Sequence, residues 1–328
     1  MDGIIKILYD MSASMILPTT AAFVIAAIGL NVHFGFTGLL NMGQAGFMLI
    51  GAYGFAISIG AGLPFWAAFF IAIFAGIAFA LILGIPTLQL RGDYLAIVTI
   101  AAAEIIRMVG RASILNDITG GSNGLTGESF RNPFAEMSLF GNGQTQILWF
   151  EFDNTGVNGW WSRAVTWFMV FVFALIVWLL MRSPWGRVIK SIREDEDAVR
   201  SLGKNVFAFK MQSLVVGGVL GAIGGVMFIL PTSLQPDAMG RNMTFLIWTA
   251  MLLGGAATIF GPILGSIVFF ALRIMVQGTM RLVVPDEILN IQQTEQFSWI
   301  MVGVALMLIV IFRPQGMIGN KKELNFNV

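Results

Sequence analysis

The sequence contains no cysteine and a single histidine, His33. The first absence excludes disulfide scaffolds, iron–sulfur clusters and thiolate zinc sites, and the second leaves no material for a histidine-rich metal centre. Charge is scarce too. Nineteen Lys and Arg stand against eighteen Asp and Glu, 11% of 328 residues, where a soluble domain carries about 25%. So few charges cannot clothe this chain in water, which excludes a soluble enzyme of one or two cores. A net charge of +1 fits neither a basic nucleic-acid binder nor an acidic disordered chain. Catalytic motifs are missing as well. There is no G-x-x-x-x-G-K-[ST] phosphate loop, since Gly203-Lys204-Asn205 lacks the hydroxyl and the upstream glycines. H-E-x-x-H, G-x-S-x-G and a paired acid–base carboxylate set are also absent. The chain reads as a non-enzyme without a cofactor of its own, and any use of ATP needs a separate engine.

What is present is apolar: 57% hydrophobic residues and a mean hydropathy of +0.81. The apolar residues form continuous runs, not ten-residue alternation, which favours helices over a barrel. A spanning helix needs about 20 such residues. Spans are expected near 15–31, 39–59, 64–86, 94–109, 161–181, 210–230, 245–260, 263–277 and 297–312. The expected fold is all-α, one polytopic membrane domain over 1–328, a bundle of about eight to ten transmembrane helices with some broken or re-entrant segments. The first span lacks a cleavage site followed by a polar mature sequence and reads as a retained helix. Glycine clusters at 43–62, 217–225 and 254–265, with Pro262, allow close helix packing or breaks around a cavity.

Lys and Arg in short loops set orientation. The stretch 182–210, with Arg187, Lys190, Arg193, Arg200 and Lys204, reads as cytoplasmic, as do Arg313, Lys321 and Lys322. The acidic stretch 111–160 reads as a structured external loop. Counting back puts Arg91 inside and the amino terminus outside.

Few polar groups fall within the runs. Glu104 and Arg107 share a helix face near mid-span, as a gate or pathway pair or as a buried structural pair. Asn31, Thr37, Asn41 and Gln44 cluster between the first two spans, where amides bond the carbonyls of a broken helix or coordinate a polar solute. His33 reads as a loop or interfacial residue, having no second ligand to complete a metal site. The run Thr119-Gly120-Gly121-Ser122-Asn123-Gly124 offers backbone amides that can cradle an anion, or is simply a turn. In 183–207, Ser183-Pro184 suits a helix start and Gly203 a helix stop. Val188, Ile192, Val199 and Leu202 run between them as an apolar stripe, which suits docking to a protein partner, with a solvated charged loop or an interfacial helix as the alternative; the alternating charge signs favour the partner.

Several stretches resemble the permease subunits of ABC importers for branched-chain amino acids, in particular the longer, M-type permease. They include Gly35-Phe36-Thr37-Gly38-Leu39-Leu40-Asn41-Met42-Gly43-Gln44, Arg91-Gly92-Asp93-Tyr94, Glu104-Ile105-Ile106-Arg107 and Thr119-Gly120-Gly121-Ser122-Asn123-Gly124-Leu125. Further along come Arg182-Ser183-Pro184-Trp185-Gly186-Arg187, Arg193-Glu194-Asp195-Glu196, Gly254-Gly255 and Phe312-Arg313-Pro314-Gln315-Gly316. Gln44 departs from the histidine common there, and the loop after Leu125 is long. The resemblance implies a bilayer-embedded permease in the bacterial inner membrane. Its partners would be a second permease, two cytoplasmic ATPase subunits that use ATP and Mg, and an external solute-binding protein, with no nucleic acid. It implies that 183–207 is the ATPase-coupling loop, carried by Arg193, Glu194, Glu196, Ala198, Leu202 and Gly203. A substrate path is expected past Asn41, Gln44, Glu104, Arg107, Thr119, Gly121 and Asn123. The solute would be a branched-chain amino acid or similar aliphatic zwitterion, with urea or a short amide as the alternative. An ion-coupled carrier or channel working without an ATPase is the rival from another class.

Overall fold

A computed structural model describes residues 2–88, 92–141, 143–283, 290–313 and 315–319; Arg91, Pro314, Lys321 and Lys322 lie outside the described residues. The helices are α1 (Asp2–Met15), α2 (Pro18–Asn31, continued by a π-turn Val32–Phe36), α3 (Gln44–Gly60), α4 (Phe65–Thr87) and α5 (Gly92–Arg111). Next come α6 (Asn116–Thr119), α7 (Glu128–Glu136) and a hairpin of β1 (Gln144–Ile147) with β2 (Phe150–Asp153). The chain continues with α8 (Trp160–Arg182), α9 (Pro184–Glu194), α10 (Glu196–Ser201), α11 (Val206–Ile229), α12 (Arg241–Gly254), α13 (Gly261–Val283) and α14 (Ile291–Phe312). The protein is an all-α polytopic membrane protein, and the hairpin is a small β addition that the sequence pattern did not reveal.

Among the described residues five helical segments are long and apolar enough to cross a bilayer: Pro18–Phe36, α4, α8, α11 and α13. The outer ones keep apolar faces exposed, with Trp66, Phe74 and Ile82 on α4 and Phe168 and Phe171 on α8, as lipid contact requires. By contrast α2 is buried almost throughout and packs on α11. Small residues make that approach possible. A side chain at Gly217 would overlap the Gly29 carbonyl, and one at Gly225 would overlap the Met48 carbonyl of α3.

Two expected spans are interrupted. Residues 37–43 are non-helical, so the second span starts at Gln44 and not at Leu39. The span expected at 245–260 ends at Gly254, where Gly255 adopts φ +116 and turns the chain toward α13. The first span was expected from Met15, but α1 precedes it. Asp2, Lys6 and Asp10 break the apolar pattern there, while Ile4, Ile5 and Leu8 stay exposed.

Contacts sort the ends of the bundle. Tyr9 packs on Phe150 and Leu125 bridges Leu234, so α1, the hairpin and the α11–α12 connection share the 111–160 end. Arg193 meets Gly35, so the π-turn shares the 183–207 end.

Candidate functional site

The 183–207 segment folds from local capping. Pro184 occupies the first position of α9, and the Ser183 hydroxyl accepts from the Gly186 N–H at 3.4 Å. Where one continuous element was expected, the chain breaks at Asp195, whose carboxylate caps α10 by accepting from the Ala198 N–H at 2.9 Å. Gly203, at φ +75, ends it in the left-handed conformation that glycine adopts without strain. Ile192, Val199 and Val206 turn inward as a small core with Val188 and Phe209, fastening the pair of helices to α11. Leu202 does not join them. It is 79% exposed, four residues from exposed Ala198 and next to exposed Gly203.

Charges anchor this exposed face from behind. Glu196 bonds Arg200 at 2.9 Å and also holds Lys210 of α11. The Arg193 guanidinium donates to Glu194 at 2.8 Å and reaches the Gly35 carbonyl in the π-turn. Lys190 lies 5.5 Å over the Phe36 ring of the same turn. The loop is thereby tied to both central helices.

Inside the bundle the expected polar cluster comes together and is fully engaged. Asn41 and Gln44 are completely buried. Asn41 Oδ1 accepts from the Gly43 N–H at 2.8 Å, while its amide N–H groups donate to His33 Nδ1 at 3.0 Å and Gln44 Oε1 at 3.1 Å. Gln44 Nε2 donates to the carbonyls of Ala26 at 3.1 Å and Gly217 at 3.4 Å. The Met42 and Ala45 N–H groups donate to Thr99 and Thr244, each at 3.0 Å. Asn31 serves the second break, bonding Ala257 N at 2.9 Å and the Thr258 carbonyl at 2.7 Å. These side chains replace the hydrogen bonds that an interrupted helix loses in a water-poor interior.

His33 is a correction: it is wholly buried, not a loop or interfacial residue. Its Nε2 lies 3.0 Å from the Leu214 carbonyl, an obligate acceptor, so Nε2 carries the proton and Nδ1 accepts from Asn41. The imidazole is neutral and acts as a strut between α2 and α11.

Glu104 and Arg107 form the expected pair, with Nε to Oε2 at 3.1 Å. Their surroundings differ from an isolated mid-span pair. Arg107 also binds Asp237, Arg111 lies 3.4 Å from Asp237, and Arg241 lies 3.9 Å from Glu104. The turn between α11 and α12 packs back against α5 and supplies Asp237, with Arg241 at the start of α12 and Arg111 on α5 itself; Glu104 and Arg107 are 30% and 17% exposed at the 111–160 end. In the Thr119–Gly124 run, Thr119 and Gly121 are buried and Asn123 is exposed. The N–H groups of Gly120, Gly121, Gly124 and Leu125 donate to Asn116 O, Thr119 Oγ1, Gly120 O and Leu234 O, which docks the turn on the α11–α12 connection.

One charged residue escaped the sequence reading. Arg273 lies midway along α13, the only charge in the span expected at 263–277. Its guanidinium sits 4.4 Å over the Trp299 ring and borders a cavity of about 400 Å³. A lone charge within an apolar run was the signal that marks it.

A family model described as "Branched-chain amino acid transport system / permease component" matches residues 12–311. The chain is 31% identical over 322 residues to the high-affinity branched-chain amino acid transport system permease protein LivM of Escherichia coli (strain K12), covering 91% of this chain and 68% of that one. It is 24% identical over 350 residues to the probable branched-chain amino acid transport permease protein LivM of Methanocaldococcus jannaschii, covering 94% and 93%. It is 25% identical over 269 residues to the guanosine ABC transporter permease protein NupQ of Bacillus subtilis (strain 168), covering 76% and 80%.

Proposed function

The chain belongs to the family of branched-chain amino acid transport system permease components, and on that footing we propose that it is the membrane subunit of an ATP-driven importer for small aliphatic amino acids. It works in the inner membrane of a bacterium, with 183–207 in the cytoplasm and 111–160 outside. Its partners are a second permease, two ATPase subunits that use ATP and Mg, and an external solute-binding protein. It contributes no hydrolytic chemistry itself. The amino-acid solute is favoured over guanosine because the LivM relatives cover more of this chain.

The observation that carries the reading is the exposed Ala198–Leu202–Gly203 face on a loop tied to α2 through Arg193 and to α11 through Glu196. On this reading Leu202, exposed beside Ala198 and Gly203 on a charged loop, is the apolar centre of the docking contact. A displacement of this face by an ATPase subunit passes through the Arg193–Gly35 bond to the π-turn and through the Glu196–Lys210 pair to the base of α11. The break at 37–43 lies next to that turn, so the buried amides around Asn41 and Gln44 sit where alternating access would bend the bundle. On this reading they hold the hinge beside the path and do not grip the solute. Glu104, Arg107 and Asp237 latch the outer end of α5 to the α11–α12 connection, where exposed Asn123 faces the binding protein and buried Thr119 and Gly121 hold the turn that presents it.

The test is uptake of radiolabelled L-leucine into proteoliposomes holding this permease with its partners. Uptake that requires ATP inside the ATPase compartment supports the reading. Uptake by the permease alone that follows an ion gradient assigns it to the ion-coupled carriers.

A further inference from the structure

Between α2, α11, α12, α13 and α14 lies a cavity of about 400 Å³, within the ~300–1,000 Å³ range of small-molecule sites. Phe23, Phe228, Phe269, Phe270 and Leu246 give it apolar walls. Two features of its lining call for negative charge. The first is Arg273, about 18 Å along α13 from Gly261 and about 15 Å from Val283 at 1.5 Å per residue. The Trp299 ring covers one face of its guanidinium, yet its N–H groups have no acceptor among the described residues. Glu295, which attracts it electrostatically, is itself 3.1 Å from Gln277 and 3.8 Å from Arg281. The second is the start of α2. Thr19 borders the cavity in the first turn of that helix, and Leu17 at the cap position provides no side-chain hydrogen bond to the free N–H groups.

An uncapped helix start and a guanidinium without an acceptor among the described residues, on one cavity with apolar walls, are complementary to a carboxylate that bears a short aliphatic chain. We infer that this cavity is a binding site for such a carboxylate, with Arg273 as its anchor and the Thr19 turn as the second donor. Exposed Asp237 and Asn242 form a polar side of the lining that opens to solvent, the mouth of the site, and Asp237 is already held by Arg107 and Arg111. An α-amino acid would place its carboxylate inward and leave its ammonium at that mouth. The cavity runs from Thr19 and Asp237 at the 111–160 end to Arg273 midway along α13, which suits a small solute arriving from that side. The inference rests on the transport reading for the identity of the solute, but not for the carboxylate chemistry.

The experiment is equilibrium binding of radiolabelled L-leucine to the assembled complex, without the binding protein and without ATP, in nanodiscs of phosphatidylcholine. Competition uses isovalerate, which keeps the carboxylate and lacks the ammonium, and leucinol, which lacks the carboxylate. The expected result is competition by isovalerate and none by leucinol. Arg273→Gln should bind about tenfold to a hundredfold more weakly, with part of the loss restored in Arg273→Lys. Equal competition by leucinol, unchanged affinity in Arg273→Gln, or no leucine binding by the unaltered complex would each overturn the inference. So would native mass spectrometry that finds an anionic phospholipid retained by the unaltered protein and lost from Arg273→Gln. The competitor series uses the unaltered complex and therefore stands even where a variant folds poorly. Failure of ATP-dependent uptake alone, with carboxylate-selective binding intact, would count against the transport reading and leave the cavity assignment standing.

Discussion

The guanidinium of Arg193 donates to the carbonyl of Gly35, joining the helical pair of 183–207 to the turn that ends α2. The same side chain packs on Gly38 and bonds Glu194, so it bridges the exposed loop and the first interruption in the bundle.

Replacing Arg193 by Ala should therefore separate ATP hydrolysis from transport. The complex is expected to assemble and hydrolyse ATP near its normal rate while uptake falls about tenfold or more, the loss of a charge-assisted hydrogen bond in the transmitting state. Parallel ATPase and uptake assays on one proteoliposome preparation check this. A proportional loss of both activities would instead show that Arg193 serves docking.

Asn41→Ala removes the donor to His33 Nδ1, the acceptor of Gly43 N and the donor to Gln44 Oε1 in one step. Each orphaned buried group costs about 1–3 kcal/mol. A large drop in the thermal unfolding midpoint is expected, measured in detergent by loss of the monodisperse peak after heating. Little change would mean that Asn41 faces water or solute and not the protein interior.

Gly225→Val places methyl groups against the Met48 carbonyl, a backbone atom that cannot rotate away. Overpacking there should destabilise the fold by about 1–3 kcal/mol or more. Gly60→Ala is the control, because no atom lies within 4 Å of the added carbon. The same heating assay should separate the two.

Features set by neighbouring residues were legible in the sequence, while those set by distant packing were not. Ser183-Pro184 and Gly203 bound the 183–207 element because capping acts within one turn. Asp195 could have been read as a second cap, since acidic residues follow it in the first turn of α10. The burial of His33 depends on Leu214, 181 positions away, and no local pattern carries that information. Counting along its helix places Glu104, whereas Arg241 reaches it, and Asp237 reaches its neighbour Arg107, along a path fixed by tertiary contacts. Arg273 went unnoticed because averaging over an apolar window dilutes one charge. The exposure of Leu202 is a tertiary feature as well: its stripe partners Ile192 and Val199 face inward against α11 from two helices separated at Asp195, and Leu202 is left outside.

The most direct measurement is ATP-dependent leucine uptake together with ATPase co-purification for Leu202→Glu, compared with Leu202→Met. A buried carboxylate in a docking contact without a partner is strongly unfavourable, while Met preserves the apolar contact. Leu202→Glu should lose the ATPase subunits and uptake together, with the permease still folded, and Leu202→Met should retain both. Normal ATPase association and normal uptake in Leu202→Glu would contradict the assignment of this face as the contact through which the permease is driven.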